Sequence, residues 1–461
     1  MYNLLHQINR LYCRKQATLI EGNQPSSEEE FYILPIETMV FCIDLMYLCS
    51  TKDKDMEQKD ELILLNINGT DRPGVTAAFC EILARNNAAI LDIGLVNIHS
   101  NLSLGILFQG SERTSGTILK ELLFKSNELG VNIRFDPITE EEYSEWVSMQ
   151  GKNRYIITIL GRKLTARQIA GVTHIIAEQD LNIDDIKRLT GRIPLDENER
   201  TPKASVEFSV RGTPKDKEQM KAAFMKLSAE QEIDISFQEE NMYRRMRRLI
   251  CFDMDSTLIK TEVIDELAIR AGVGDQVKAI TESAMRGEID FCESFRQRCA
   301  LLKGLDVSVM QEIAENLPIT EGVDRLMRIL KKVGFKIAIL SGGFTYFGNY
   351  LKQKYGIDYV YANELEVENG KLTGRHVGDI VDGKRKAELL RLIAQVENVD
   401  IRQTVAVGDG ANDLPMINIA GLGIAFHAKP KVKATAEQSI STIGLDGILY
   451  FLGYKDSYWD I

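Results

Sequence analysis

Three short apolar runs in the C-terminal half, each cut off by a polar cluster, constrain this chain more than any other feature. "LICF" (249–252) runs into Asp253-Met254-Asp255-Ser256-Thr257, "KIAIL" (336–340) into Ser341-Gly342-Gly343, and "TVAVG" (404–408) into Asp409-Gly410-Ala411-Asn412-Asp413. Continuous apolar runs of this length read as strands buried on both faces, and the helical patterning between them reads as crossovers of a parallel sheet. In such sheets ligands bind outside the carboxyl ends of the strands, so the three clusters are expected to converge on one crevice.

Taken singly, each cluster could be a turn or a helix cap. Together they suit a cation and a phosphate. Closely placed carboxylates repel unless a cation joins them, and hard oxygen donors without a Cys or His cluster point to Mg2+. Ser341 and the Gly342 N–H can donate to phosphate oxygens, and glycine lets the backbone approach closely. A lysine is expected to offset the remaining charge, and "VDGKRKAELL" offers Lys384 and Lys386.

The N-terminal half has a different rhythm. From Glu61 to about Pro137 the order is strand, helix, strand, strand, helix, strand, and it recurs from Arg154 to about Gln238. An ungapped offset of 93 aligns Ile63 with Ile156, Leu64 with Ile157, Ala84 with Ala177, Ile90 with Ile183, Asp92 with Asp185 and Ile93 with Ile186. Each unit resembles an ACT domain, a ferredoxin-like α+β module often used to sense amino acids. In the first, "GTDRPGV" fits a loop and helix N-terminus that receives an amino-acid carboxylate, with Asp71 and Gly74 as candidate effector-binding residues. In the second, Arg167 stands where the offset expects Gly74, and no Pro-Gly occurs, so a second ligand site is not expected. "RRMRR" (244–248) reads as a solvated face of a linker.

The region from Leu249 onward resembles the haloacid dehalogenase (HAD) superfamily: "DMDST" is similar to its first motif, "SGGF" to its second, Lys386 to its motif lysine and "GDGANDLPM" to its last. More narrowly it is similar to the phosphoserine phosphatases, some of which carry tandem ACT domains. The resemblance implies a Rossmann-like α/β sheet with a helical cap, preceded by the two ferredoxin-like domains. It implies hydrolysis of O-phospho-L-serine through an aspartyl-phosphate, the last step of serine biosynthesis. Asp253 would be the nucleophile and Asp255 the acid and base. Mg2+ would be held by Asp253, Asp409 and the Asp255 backbone carbonyl, with Asp413 in support. Ser341, Gly342, Lys386 and Asn412 would bind the phosphoryl group. In the cap, Glu262 would meet the substrate amine and Arg298 its carboxylate, while Met285 and Phe291 close over the ligand. L-serine is the expected effector and a homodimer the expected assembly. Two alternatives are a HAD phosphatase for another small phosphomonoester and a non-enzymatic amino-acid sensor.

The expected domains are an extension at 1–55, poorly ordered, ACT-like units at 56–140 and 152–240, and a phosphatase unit at 246–461 with its cap at about 258–318. The formal charge of −11 argues against a nucleic-acid partner, which needs a basic face. Seven scattered cysteines without a C-x-x-C pair suggest reduced thiols and a cytoplasmic protein. The apolar stretch 31–49 has the length of a membrane span, but Pro35, Glu37 and Asp44 interrupt it, and an acid at a span's centre costs roughly 2.5–3.5 kcal/mol.

Overall fold

A computed structural model describes residues 60–149, 151, 153–192 and 202–459; the side chains of Met285 and Lys431 are not described. The expected extension at 1–55 therefore lies outside the described residues. The chain divides into two compact units, 1–150 and 151–461.

The first unit holds a four-stranded antiparallel sheet made of β1 (Asp60–Thr70), β2 (Ala89–Ile98), β3 (Asn101–Ser111) and β4 (Asn132–Ile138), in the order β2-β3-β1-β4. Leu65 and Ile67 of β1 pack under Phe79 and Leu83 of helix Val75–Arg85 and Ile118 and Leu122 of helix Glu112–Leu129. The second of these helices begins at Glu112, because the Ser111 side chain accepts from Arg113 N and caps it there. A further helix, Glu140–Ser148, was not expected; a reciprocal Thr139–Glu142 capping box starts it.

The second unit opens with the same topology. Strands β5 (Arg154–Gly161), β6 (Asn182–Arg188), β7 (Ala204–Arg211) and β8 (Asp234–Glu239) lie in the order β6-β7-β5-β8. β2 and β6 bulge at the same place, between Ile90 and Asp92 and between Ile183 and Asp185, as the offset of 93 requires. The first strand departs from that offset. Ile63, Leu65 and Ile67 face one core while Tyr155, Ile157 and Ile159 face the other, so β1 and β5 correspond at an offset of 92. A one-residue slip in a strand exchanges its faces. The pairings Ile63–Ile156 and Leu64–Ile157 are therefore corrected, and one extra residue separates Ile159 from Val172 of the following helix, compared with Ile67 and Phe79 in the first unit.

The reading of "RRMRR" as a solvated face holds for Arg245 and Arg248, which are exposed, and is corrected for Arg244 and Arg247. Arg244 is buried and its Nη2 donates to Glu207 Oε2 at 2.6 Å, while Arg247 Nη2 donates to Gln238 Oε1 at 3.1 Å and Gly421 O at 3.2 Å. These guanidiniums tie strands to the linker instead of facing water.

The rest of the second unit is built on β9 (Leu249–Phe252), β10 (Lys336–Phe344), β11 (Tyr359–Glu368), β12 (Lys371–Val377), β13 (Thr404–Gly408), β14 (Leu422–Phe426) and β15 (Gln438–Ile440), in the order β12-β11-β10-β9-β13-β14-β15. All pair in parallel except β11 and β12, an antiparallel hairpin that the alternating strand–helix pattern did not announce. Central β9 is wholly buried. Ile250 and Phe252 face one core, and Leu249 and Cys251 face the other. The chain steps from β9 to β10 and β11 on one side and returns to β13 on the other, so a topological switch lies between β9 and β13. Four helices, Val263–Ala271, Gly274–Met285, Phe291–Leu301 and Ser308–Glu315, fill the insertion between β9 and β10. Two crossing segments, bridged at Ile259 and Ile319, join this cap to the sheet.

The ferredoxin-like sheet and the seven-stranded sheet meet at Gln438, whose side chain accepts from Phe237 N at 3.0 Å and donates to Phe237 O at 2.8 Å. Gln438→Ala leaves two buried backbone groups unpaired. It is expected to cost about 2–4 kcal/mol in denaturant melts of the full chain; a loss below about 0.5 kcal/mol would show that water replaces the amide.

Candidate active site

The three clusters do converge. Asp253 follows β9 directly, and its N–H donates to Val407 O at 2.8 Å, which continues the pairing with β13 and brings Asp253 beside Asp409. Carboxylate oxygens of Asp253, Asp409 and Asp413 lie within 4.8 Å of one another. Lys386 is fully buried, with its Nζ 2.9 Å from Asp253 Oδ2 and 2.7 Å from Asp413 Oδ1. Lys384, the other candidate, is exposed. Helix Gly383–Val396 decides between them: its N-cap Asp382 accepts from Arg385 N, and residue 386 then faces the crevice.

The electrostatics follow from burial. Burial, then the charges of Asp253, Asp413 and Glu262, push Asp409 up to about 8. Burial and Asp253 push Asp413 up to about 7, against the pull of Lys386. Burial alone would lower Lys386, but the Asp253 and Asp413 carboxylates outweigh it and hold the ammonium above its ordinary range. The three carboxylates fit a small hard cation: their donors are all oxygen, and the proton affinity of Asp409 and Asp413 marks charge that a cation would offset.

Asp255 lies outside that triad. Its Oδ1 accepts from Val263 N at 3.2 Å, and burial, followed by the charges of Glu262 and Asp253, raises its pKa well above the carboxylate range. A Cβ on Gly343 would stand 2.3 Å from Asp255 Oδ2, so glycine is required where the second motif passes the acid. Ser341 is buried and its Oγ accepts from Gly343 N at 2.9 Å, which leaves its own proton for a ligand. Phe291 Cζ lies 2.9 Å from where a Gly342 Cβ would be, so this cap ring closes over the second motif. Asn412 lines the same crevice, its Oδ1 against Gly410 and its backbone oxygen against Gly383.

Glu262 precedes helix Val263–Ala271 and accepts from Ser256 Oγ at 2.8 Å. It opens to solvent by area yet is ringed by protein, which raises its pKa along with the charges of Asp253 and Asp265, while Arg298 pulls the other way. Arg298 is lowered by burial, with Glu262, Asp265 and Asp255 as its opposing charges, so the expected amine and carboxylate contacts share one side of the crevice. The side chain of Met285 lies outside what the structure describes.

Asp71 and Gly74 belong to the other unit. Asp71 Oδ2 accepts from Asn97 Nδ2 at 2.9 Å, and Gly74, at φ 93°, begins helix Val75–Arg85. A concavity of about 370 Å3 in that unit is lined by residues including Asn68, Val96, Asn101, Ser103 and Asn132, but not by Asp71 or Gly74.

Sequence reasoning passed over Asn363. It is buried in β11, donates from Nδ2 to Gly342 O at 2.8 Å and accepts at Oδ1 from Val381 N at 2.8 Å. It thereby ties the second motif to the segment that leads into Lys386. A polar amide inside "YVYANELEV" was the signal.

Family models match at 61–136 and 154–238 (ACT domain) and at 247–421 (haloacid dehalogenase-like hydrolase). The phosphoserine phosphatase of Mycobacterium tuberculosis is 38% identical over 393 residues, 85% of this chain and 93% of that protein. The phosphoserine phosphatase of Archaeoglobus fulgidus is 42% identical over 331 residues, 72% of this chain and 92% of that protein. A crystal structure of a probable phosphoserine phosphatase from Vibrio cholerae superposes with a TM-score of 0.52 at 33% identity, over 66% of this chain and 87% of that one. With this coverage, and with the site above, the chain belongs to the phosphoserine phosphatase family of haloacid dehalogenase-like hydrolases and carries two ACT domains ahead of its hydrolase domain.

Proposed function

We propose that this enzyme hydrolyses O-phospho-L-serine to L-serine and phosphate through an aspartyl-phosphate on Asp253. The observation that carries the reading is the buried Lys386 ammonium joining Asp253 and Asp413 beside the buried Asp255 carboxyl, whose pKa burial raises. Asp253 attacks phosphorus as the bond to the serine oxygen breaks, and Asp255 gives that oxygen its proton. The Asp255 carboxylate then takes a proton from water, whose oxygen attacks phosphorus and releases phosphate and Asp253. Ser341, the Gly342 N–H, Asn412 and Lys386 orient the phosphoryl group and balance its charge. Asp253, Asp409 and the Asp255 carbonyl, with Asp413 in support, would hold Mg2+, which when bound polarises the phosphoryl oxygens. Glu262 and Arg298 recognise the amine and carboxylate, and Met285 and Phe291 exclude water.

The same reading takes 56–140, 152–240 and 246–461 as the domains, with the cap at about 258–318, and places the enzyme in the cytoplasm at the end of serine biosynthesis. No helix among the described residues is long and apolar enough to cross a membrane. L-serine is the effector of the first ACT domain, which Asp71 and Gly74 help to receive. Strand β2, with Ile93, Leu95, Val96 and Ile98 between 48% and 74% exposed, supports a homodimer.

Phosphate release from O-phospho-L-serine with Mg2+ tests the reading. Asp253→Asn is expected to lower kcat by at least about a thousandfold, and EDTA is expected to abolish turnover until Mg2+ is restored. Because Asp255 must carry a proton to act as acid, kcat/KM should fall as pH rises through its raised pKa, and Asp255→Asn should remove that limb together with most of the rate. Arg298→Ala should raise KM by roughly 10–100-fold, the cost of a lost charged hydrogen bond. Equal turnover of ethyl phosphate and phosphoserine would overturn the substrate assignment.

A further inference from the structure

The two ACT domains have the same topology but present the face opposite their helices differently. In the second, Ile156, Thr158 and Leu160 of β5 are buried on that face, and Leu160 joins the core of the hydrolase domain. Asp234 of β8, fully buried, accepts from Ser441 N, Thr442 N and Thr442 Oγ1 at 2.9, 2.9 and 2.6 Å. Lys203 Nζ reaches the buried Asp446 at 2.6 Å, and Arg325 holds Asp446 at 2.8 Å from the hydrolase side. The second ACT domain is thus anchored by two buried carboxylates, Asp234 held by hydrogen bonds and Asp446 by ion pairs.

At the end of β5 this anchored surface reaches the base of the cap, at Glu321. Arg162 follows Gly161, which corresponds to Gly69 in the first domain, and opens the loop "RKLT" that leads into helix Ala166–Glu178. Its guanidinium is used on three sides: Nη1 and Nη2 donate to Glu321 Oε1 and Oε2 at 2.8 and 2.6 Å, and Nε donates to Thr442 O at 3.0 Å. Glu321 comes directly after the returning cap segment, in which Lys260 N donates to Pro318 O at 2.8 Å and Thr320 N to Leu258 O at 3.0 Å. Glu321 O accepts from Leu445 N at 2.7 Å, and Gly322, at φ 87°, leaves no room for a side chain because Asp446 Oδ1 would lie 2.2 Å from its Cβ. The outgoing segment 258–260 leads within two residues to Glu262.

We propose that Arg162 is a positioning residue for the hydrolase. By gripping Glu321 it fixes the hinge between cap and sheet, and so sets where Glu262 and Arg298 stand relative to Asp253. The loop that in the first domain has the sequence of a ligand loop serves, in the second, as a clamp on the catalytic domain. This rests on the substrate reading above only for its kinetic arm.

The test compares full-length wild type with Arg162→Ala, Glu321→Gln, the double variant and Arg162→Lys, using O-phospho-L-serine and ethyl phosphate, which lacks both groups the cap recognises. A half-exposed ion pair adds little to global stability, so Tm should stay within about 2 °C. Each single variant should lower kcat/KM for phosphoserine by roughly 2–30-fold and leave ethyl phosphate unchanged. The double variant should be no worse than either single, and Arg162→Lys, which keeps the charge but not the fork, should recover only part of the loss. An equal fall for both substrates, or no fall, overturns the proposal. Hydrogen exchange is independent of the substrate: Arg162→Ala should speed exchange in 258–260 and 318–321, and unchanged protection there refutes the clamp. An enzyme inactive on phosphoserine would overturn the substrate reading alone, with exchange still deciding this one.

Discussion

One ammonium makes the crevice possible. Asp253, Asp409, Asp413 and Asp255 gather at the ends of two neighbouring strands, where their mutual repulsion would be prohibitive without Lys386 between Asp253 and Asp413. Removing one partner of a buried ion pair typically costs about 3–5 kcal/mol, because the other charge is left uncompensated. Lys386 compensates part of the negative charge and no more, as the raised proton affinities of Asp409 and Asp413 record. That remainder fits the site for a cation and a phosphoryl group. The fold tolerates the electrostatic cost because the apolar cores on the two faces of the sheet supply the stability.

Backbone approach is the second constraint. Gly343 admits the Asp255 carboxylate and Gly408 admits Asp413, whose Cγ would stand 2.4 Å from a Cβ there. These are steric requirements in addition to the loop chemistry that "SGGF" and "VGDG" suggest. Asn363 completes the frame from outside the motifs, since its amide ties two loops that lie on different strands.

The duplicated domains show how one topology can serve two ends. Their helices and bulges still register at 93 residues, yet the first strand has slipped to 92, and the loop that follows carries Arg162 directly after the strand where the first domain has Thr70. The outer sheet face of the second domain is covered by the hydrolase, so its residues are read by a fixed neighbour instead of by solvent or a ligand.

Local sequence determined the strand–helix order, the duplication, the parallel sheet and the three clusters at its edge. Each is written in periodicity and in motifs contiguous along the chain, and short-range sterics enforce them. It also carried the capping box at Thr139 and Glu142, a local signal that was present and passed over. Only the tertiary structure decided which face each residue of β5 takes, that β12 runs against its neighbour, and that Arg244 and Arg247 are enclosed. In each case the outcome depends on which distant segment supplies the opposing charge or the covering surface. The pairings of Lys386 with Asp253, Arg244 with Glu207 and Arg162 with Glu321 span long stretches of chain, and nothing in either partner's own neighbourhood names the other.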